Sequence, residues 1–228
     1  MIRAARARTV VCPPNGVLEW VVRARIPVLR QQGPGPASGP QEMAYDDVHE
    51  SEQLILVDAA DREVGYLGKG ACHDGSGVLH RAFSLLIFNG NGELLLQQRA
   101  PGKRLWPLYW SNSVCSHPRR AETLETAIHR RLQQELGISA PLQFLFKFQY
   151  QAQFAAEGSE REVCSVYIGR SDEPVRSDPQ EVQAWRWVTP QALEQEMAGA
   201  GMEKFTPWFR LEWARIWRDH RAAVLALT

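Results

Sequence analysis

Trp110-Ser111-Asn112-Ser113-Val114-Cys115-Ser116-His117-Pro118 runs straight into a helical stretch, Glu122 to Leu136, and the rest of the chain is organised around this pair of segments. A thiol stands two residues from an imidazole at a helix entrance, so a nucleophile or acid/base and a metal ligand share one turn. At 100° per residue, Leu124, Ala127, Ile128, Leu132 and Leu136 define the apolar arc of the helix. Glu135, eleven residues beyond Leu124, falls about 20° from it, near the middle of that arc. A carboxylate therefore points where the core should be. Arg131 lies on the same arc one turn earlier, and Arg before Glu at i,i+4 is the weaker order for helix stability, so surface ion pairing explains the two poorly. A buried, partly paired carboxylate is the mark of a site.

The segment Ser116-x5-Glu122-x7-Arg130-Arg131-Leu132-Gln133-Gln134-Glu135-Leu136-Gly137-Ile138 resembles the Nudix box, G-x5-E-x7-R-E-U-x-E-E-x-G-U, where U is a bulky aliphatic residue. It departs at three positions: Ser116 stands for the opening Gly, Arg131 for the Glu after the Arg, and Gln134 for the first of the paired Glu. Those carboxylates hold magnesium in Nudix hydrolases, so the departures count against hydrolysis while the loop-helix-loop frame survives. The Trp110 to Pro118 stretch resembles a signature of the type I isopentenyl-diphosphate isomerases, Nudix relatives that kept the scaffold and changed the chemistry. The resemblance runs from about Ser51 to Trp217. It implies an α/β fold, a mixed sheet sandwiched between helices, in a single domain over residues 43–228.

With 228 residues, 44% of them apolar, the chain can bury one sizeable core and nothing demands two domains. Its formal net charge is zero, but residues 1–42 hold six Arg against two Glu, or +4, leaving −4 for the rest. Six of the ten residues from Gln31 to Pro40 are Gly or Pro. Residues 1–42 therefore read as a disordered extension, with a transit peptide or an over-extended start before Met43 as the alternatives. No apolar run approaches the roughly 20 residues needed to span a bilayer. The expectation is a soluble, cytoplasmic protein, monomeric or weakly dimeric, that engages neither nucleic acid nor membrane. Cys12, Cys72, Cys115 and Cys164 lack the close pairing of a zinc ribbon, and Cys72 and Cys164 read as small core residues.

Outward from the centre, Leu54–Val57 and Glu63–Leu67 read as a hairpin, followed by Lys69 and a Gly-rich loop from Cys72 to His80 with a His at each end, His73 and His80. Arg81–Asn89 and Glu93–Gln98 flank Asn89-Gly90-Asn91-Gly92, the strongest hairpin signal in the chain. Its second strand delivers Arg99, and Lys103 and Arg104 follow; cations placed there suit a polyanionic ligand such as a diphosphate. After the helix, Phe144, Phe146, Phe148 and Tyr150 alternate with Leu145, Lys147 and Gln149, which marks a strand with an aromatic face, and Gln151 to Glu157 reads as the loop back. Glu160, Glu162, Cys164 and Val166 take alternate positions of the next strand, so two carboxylates share a face, which is unfavourable unless a cation sits between them. Ala184–Val188 reads as a further strand, Thr189-Pro190 opens a helix to Met197, and Thr206-Pro207 opens a last helix to about Leu225, with Trp208 at its entrance as a candidate lid.

By the resemblance, His73, His80, His117, Glu160 and Glu162 hold a first metal; mixed nitrogen and oxygen ligation without thiolate suits manganese or magnesium, with zinc also possible. Glu135 helps hold a second ion, magnesium, bridging to the diphosphate of a small-molecule substrate, and Lys69, Arg99, Lys103 and Arg131 neutralise its oxygens. The implied reaction converts isopentenyl diphosphate to dimethylallyl diphosphate by adding a proton at one carbon and removing another two carbons away. Cys115 and Glu162 are the implied proton donor and acceptor, Tyr150 a hydrogen-bond partner of Glu162, and Trp208 a π face for the cation. The rival readings are a Nudix diphosphohydrolase, for which Glu122, Arg130, Glu135 and Gly137 remain intact, and a catalytically silent binding module, which has no use for such a ligand set.

Overall fold

The computed structural model describes residues 21–23 and 52–227. The rest of the expected extension, with Cys12 and the alternative start at Met43, lies outside them. Within the extension, Val21–Arg23 form strand β1, paired in parallel with Gln151–Gln153.

The organising strand is β4, His80–Phe88, buried at every position from Ala82 to Phe88, as a run covered on both faces must be. Its side chains alternate. Phe83, Leu85 and Ile87 meet helix α2, Leu124–Leu136, through Ala127, Ile128, Leu132 and Leu136, while Ala82, Leu86 and Phe88 meet Trp208, Phe209 and Trp213 of α4, Pro207–Asp219. The sheet is thus sandwiched between helices, as expected, and two separate apolar layers share one strand.

Strands β2 (Gln53–Val57) and β3 (Glu63–Gly68) form the expected hairpin, and α1 (Lys69–Cys72) follows. β5 (Leu94–Arg99), β6 (Trp110–Ser111) and β7 (Val114–Ser116) come next, then β8 (Leu142–Phe154), β9 (Gly158–Arg170) and β10 (Val182–Val188). The main order is β1-β8-β9-β4-β2-β3, with β5 joining β4, β6 and β10, and β7 pairing β4. β4 lies parallel to β9 and antiparallel to β7, so the sheet is mixed.

Several local expectations need correction. α2 starts at Leu124, not Glu122: Thr123 is its N-cap and accepts from the Thr126 N–H at 3.1 Å, while Gly137 closes it with a left-handed φ of 64°. The segment from Gln151 continues β8 to Phe154 instead of looping back. A register shift between Phe144 and Phe146 turns Phe144 out to 51% exposure, leaving Phe146, Phe148 and Tyr150 as the buried aromatic face. The Asn89–Gly92 turn joins strands whose pairing is Phe88 with Leu94 alone, because β4 then diverges to meet β7 and β9. β10 begins two residues before Ala184, α3 runs Pro190–Ala198, and the last helix breaks at His220, with α5 at Arg221–Leu225.

Candidate active site

Strand register alone brings the central groups together. His80 lies opposite Glu162, Tyr150 opposite Glu162, Ala152 opposite Glu160, and Ser84 opposite Cys115. The Cys72–His80 segment is less open than its glycines suggest. Cys72 ends α1 and His73 follows as its C-cap; Ser159 N–H donates to His73 O at 2.9 Å, and Ser159 Oγ donates to Gly75 O at 2.7 Å. Gly158 makes that docking possible, since a Cβ there would stand 2.2 Å from His73 O.

The five expected ligands converge. The rings of His73, His80 and His117 have centroids 4.8–5.4 Å apart, and one ligand atom from each of His73, His80, His117, Glu160 and Glu162 lies within 4.8 Å of all the others. His73 Nδ1 sits 2.6 Å from Lys69 O and His80 Nδ1 2.7 Å from Val78 O. A carbonyl only accepts, so each Nδ1 donates outward, which turns each Nε2 toward the carboxylates at the centre. His80 Nε2 is buried, makes no hydrogen bond and stands 3.6 Å from Glu162 Oε1, while the buried Glu160 Oε2 lies 2.8 Å from His73 Nε2. An orphaned, buried imidazole nitrogen beside two clustered carboxylates fits a divalent cation, and this His/Glu group can hold one. Burial, helped by the neighbouring His80 and His73, holds His117 well below its ordinary value, in the neutral form that ligation needs.

Tyr150 donates to Glu162 Oε2 at 2.7 Å. Burial pushes the Glu162 carboxyl up, but the imidazole of His80 and the Tyr150 hydroxyl outweigh it and the group sits below its ordinary value. Burial, with the Glu162 charge, raises Tyr150 far enough that its proton stays in place. Cys115, half-buried on β7, has Arg99 Nη1 3.6 Å from its sulfur; burial pushes the thiol up to about 12 despite that cation. Trp208 is no lid. It is 2% exposed, and its Nε1 donates to Ser111 Oγ at 3.1 Å and Asn112 Oδ1 at 3.2 Å, which fixes the indole as a wall.

His73, His117, Glu160, Glu162, Tyr150, Cys115 and Trp208 open on one cavity of about 350 Å³, within the roughly 300–1,000 Å³ typical of small-molecule sites, and His80 is buried behind it. Lys69, Arg99, Lys103 and Arg131 line it. Burial and the nearby Lys103 lower the Lys69 ammonium. Arg131 donates to Glu135 from Nε at 3.0 Å and from Nη2 at 2.6 Å, and Gln97 donates to the other Glu135 oxygen at 3.1 Å. Glu122 and Arg130 pair with each other through two bonds of 2.6 and 2.7 Å, so these intact box residues clamp the loop to the helix. The sequence reading missed Glu181, which lines the cavity and binds both Arg131 and Lys103, and Ser111 and Asn112 as the anchors of Trp208. Nothing flagged Glu181, an isolated loop acid; the polar residues beside Cys115 were at least in the quoted stretch. Among the described residues, no helix is long and apolar enough to cross a membrane.

Comparison with known proteins gives a consistent result. The NUDIX domain family matches residues 78–209. The chain is 43% identical over 171 residues to isopentenyl-diphosphate Delta-isomerase 1 of Photorhabdus laumondii, covering 74% of this chain and 97% of that protein. It is 44% identical to the isopentenyl-diphosphate Delta-isomerase of Serratia proteamaculans over 69% of this chain and 87% of that one, and 35% identical to that of Haloarcula marismortui over 75% and 96%. A crystal structure from Deinococcus radiodurans matches with a TM-score of 0.60 and 25% identity, covering 73% of this chain and all of that one. The MutT protein of Methanosarcina mazei matches in fold, with a TM-score of 0.52 at 19% identity over 63% of this chain and 96% of that one.

Proposed function

Because the chain belongs to the Nudix domain family, within its isopentenyl-diphosphate isomerase branch, we propose that it converts isopentenyl diphosphate to dimethylallyl diphosphate, and that Cys115 and Glu162 carry the two proton transfers. The observation that carries this reading is a thiol and a tyrosine-held carboxylate on one small cavity whose wall is a buried indole. Isomerisation requires one group to deliver a proton to the terminal alkene carbon and a second to remove one from the methylene between the tertiary carbon and the carbon that carries the diphosphate. The double bond shifts and no atom is lost. Tyr150 holds one oxygen of Glu162 and so aims the other. Trp208, fixed at Nε1, offers its π face to the tertiary cation between the two steps, and the buried surroundings keep water from trapping that cation.

His73, His80, His117, Glu160 and Glu162 are the residues to hold manganese or magnesium, with zinc also compatible, and Glu135 is the residue to meet a magnesium ion on the diphosphate. A bound divalent cation supplies positive charge that offsets the clustered carboxylates and the substrate's phosphates. Lys69, Arg99, Lys103 and Arg131 face the phosphate oxygens. The hydrolase alternative is weaker here because Arg131, at a position where the hydrolase pattern has a metal-binding acid, is a cation already paired to Glu135 and Glu181.

Turnover and deuterium uptake from heavy water in Cys115→Ser and Glu162→Gln test the assignment, after fold and metal content are verified. A hydroxyl near pKa 15 does not form the anion a thiol can, and losing an acid/base group costs about 10²- to 10⁴-fold. Near-normal turnover by Cys115→Ser removes the thiol from the mechanism.

A further inference from the structure

Glu181 joins two of the four cations, Lys103 and Arg131, that the resemblance assigns to the substrate. It lies immediately before β10, is 3% exposed, takes Arg131 Nη2 at 2.8 Å and also binds Lys103 Nζ. Arg131 in turn holds Glu135, which is equally buried. Two cations and two carboxylates therefore form one quartet, with Lys103, Arg131 and Glu181 on the cavity wall and Glu135 behind Arg131, and their formal charges cancel. Burial raises the Glu181 carboxyl, but Lys103 and Arg131 outweigh it and hold the group far below the usual range. Of the other cavity cations, Arg99 is engaged by Leu105 O, Trp106 O and the Cys115 sulfur, and Arg104 by Gly70 O, Asp74 and Glu157 O.

Two of the four cations assigned to the phosphates, Lys103 and Arg131, are thus already paired with a carboxylate when a bare diphosphate arrives. To bind, it must draw Lys103 and Arg131 away from Glu181 and leave a buried carboxylate beside its own oxygens, which is costly in a site of low dielectric. A diphosphate carrying a divalent cation brings less charge, and its metal side is attracted to the same carboxylates. We propose that Glu181 is a specificity-determining residue: it makes this site select a diphosphate in its divalent-cation complex over the metal-free anion. The inference rests on reading the cavity as a diphosphate site, as proposed above, but it concerns the ionic form of the ligand and not the reaction.

The test is calorimetric titration of inorganic pyrophosphate into the full chain, with excess magnesium and again with chelator, for the native protein, Glu181→Gln and Lys103→Met. The readout is the ratio of the metal-free to the magnesium-loaded Kd. The native protein binds the magnesium complex more tightly. In Glu181→Gln the ratio falls at least tenfold because metal-free binding tightens. In Lys103→Met, which leaves the quartet with an excess carboxylate, the ratio rises. Equal weakening of both forms by Glu181→Gln reduces the residue to a structural prop and overturns the proposal, as does a native protein with no preference for the complex. Should Glu181→Gln fail to fold by circular dichroism, an unchanged ratio in Lys103→Met overturns it instead. No turnover enters the measurement, so a chain with this selectivity but without isomerisation refutes only the reaction assignment.

Discussion

Replacing Glu212 with Gln should change how stability depends on pH, and the structure fixes the direction and size. Glu212 stands on α4 one turn beyond Trp208, is 0% exposed, and has its Oε2 buried without a hydrogen bond, while Oε1 meets Cys164 Sγ at 3.9 Å. Burial pushes this carboxyl from 4.5 up to about 8; Glu162 adds to the rise, and Ser84 and Cys164 oppose it. The folded state therefore binds a proton that the unfolded chain gives up near 4.5. A group raised in this way contributes its full stability below the unfolded value and loses it as pH climbs through the folded one. The gap from 4.5 to about 8, at about 1.36 kcal/mol per pH unit, corresponds to an upper bound of about 5 kcal/mol. Glutamine removes the titration and keeps the shape. Urea unfolding at a series of pH values from 4.5 to 9 should show Glu212→Gln gaining on the native protein by several kcal/mol, most of it before pH 8. A difference between the two proteins that stays flat across that range refutes the reasoning, because a lost contact alone has no such slope.

Gly158→Ala places a Cβ 2.2 Å from His73 O at a φ of 147°, so the His73 segment must move at a cost of about 1–3 kcal/mol; manganese retention in equilibrium dialysis should fall at least tenfold, and full retention contradicts the docking argument. Tyr150→Phe deletes the 2.7 Å bond to a buried carboxylate, worth about 1.5–3 kcal/mol. Turnover should drop about tenfold or more, and the acid limb of the kcat profile should move to higher pH, since a donor that lowers Glu162 is gone; an unmoved limb argues against Glu162 as the titrating group. Thr123→Ala removes the α2 cap and should cost about 1 kcal/mol in urea unfolding while metal content stays unchanged.

What could be read from the sequence was whatever a local period records. The 3.6-residue period placed Leu124–Leu136 and put Glu135 inside, where it is 3% exposed. The two-residue period put Glu160 and Glu162 on one face of β9, and both carboxylates reach the histidine cluster. Gln151 and Gln153 also alternate with Ala152 and Phe154, a signal that would have carried β8 to its observed end. Bulges break such counting, as at Phe144, whose ring instead packs on Tyr167 at 5.6 Å. Non-local pairing leaves no trace in one sequence: the parallel match of His80 with Glu162 crosses 82 positions and sets the histidine–carboxylate cluster. Glu181 was illegible for the same reason. Its importance comes from two cations that fold against it, and no pattern in its own loop announces them.

The central claim is tested most directly by incubating the full chain with isopentenyl diphosphate and magnesium and following the products by proton and phosphorus NMR. The account predicts that dimethylallyl diphosphate accumulates with its diphosphate intact, and that chelation abolishes the conversion. Phosphate released from the substrate without a shifted double bond, or no change at all with metal bound, would contradict it.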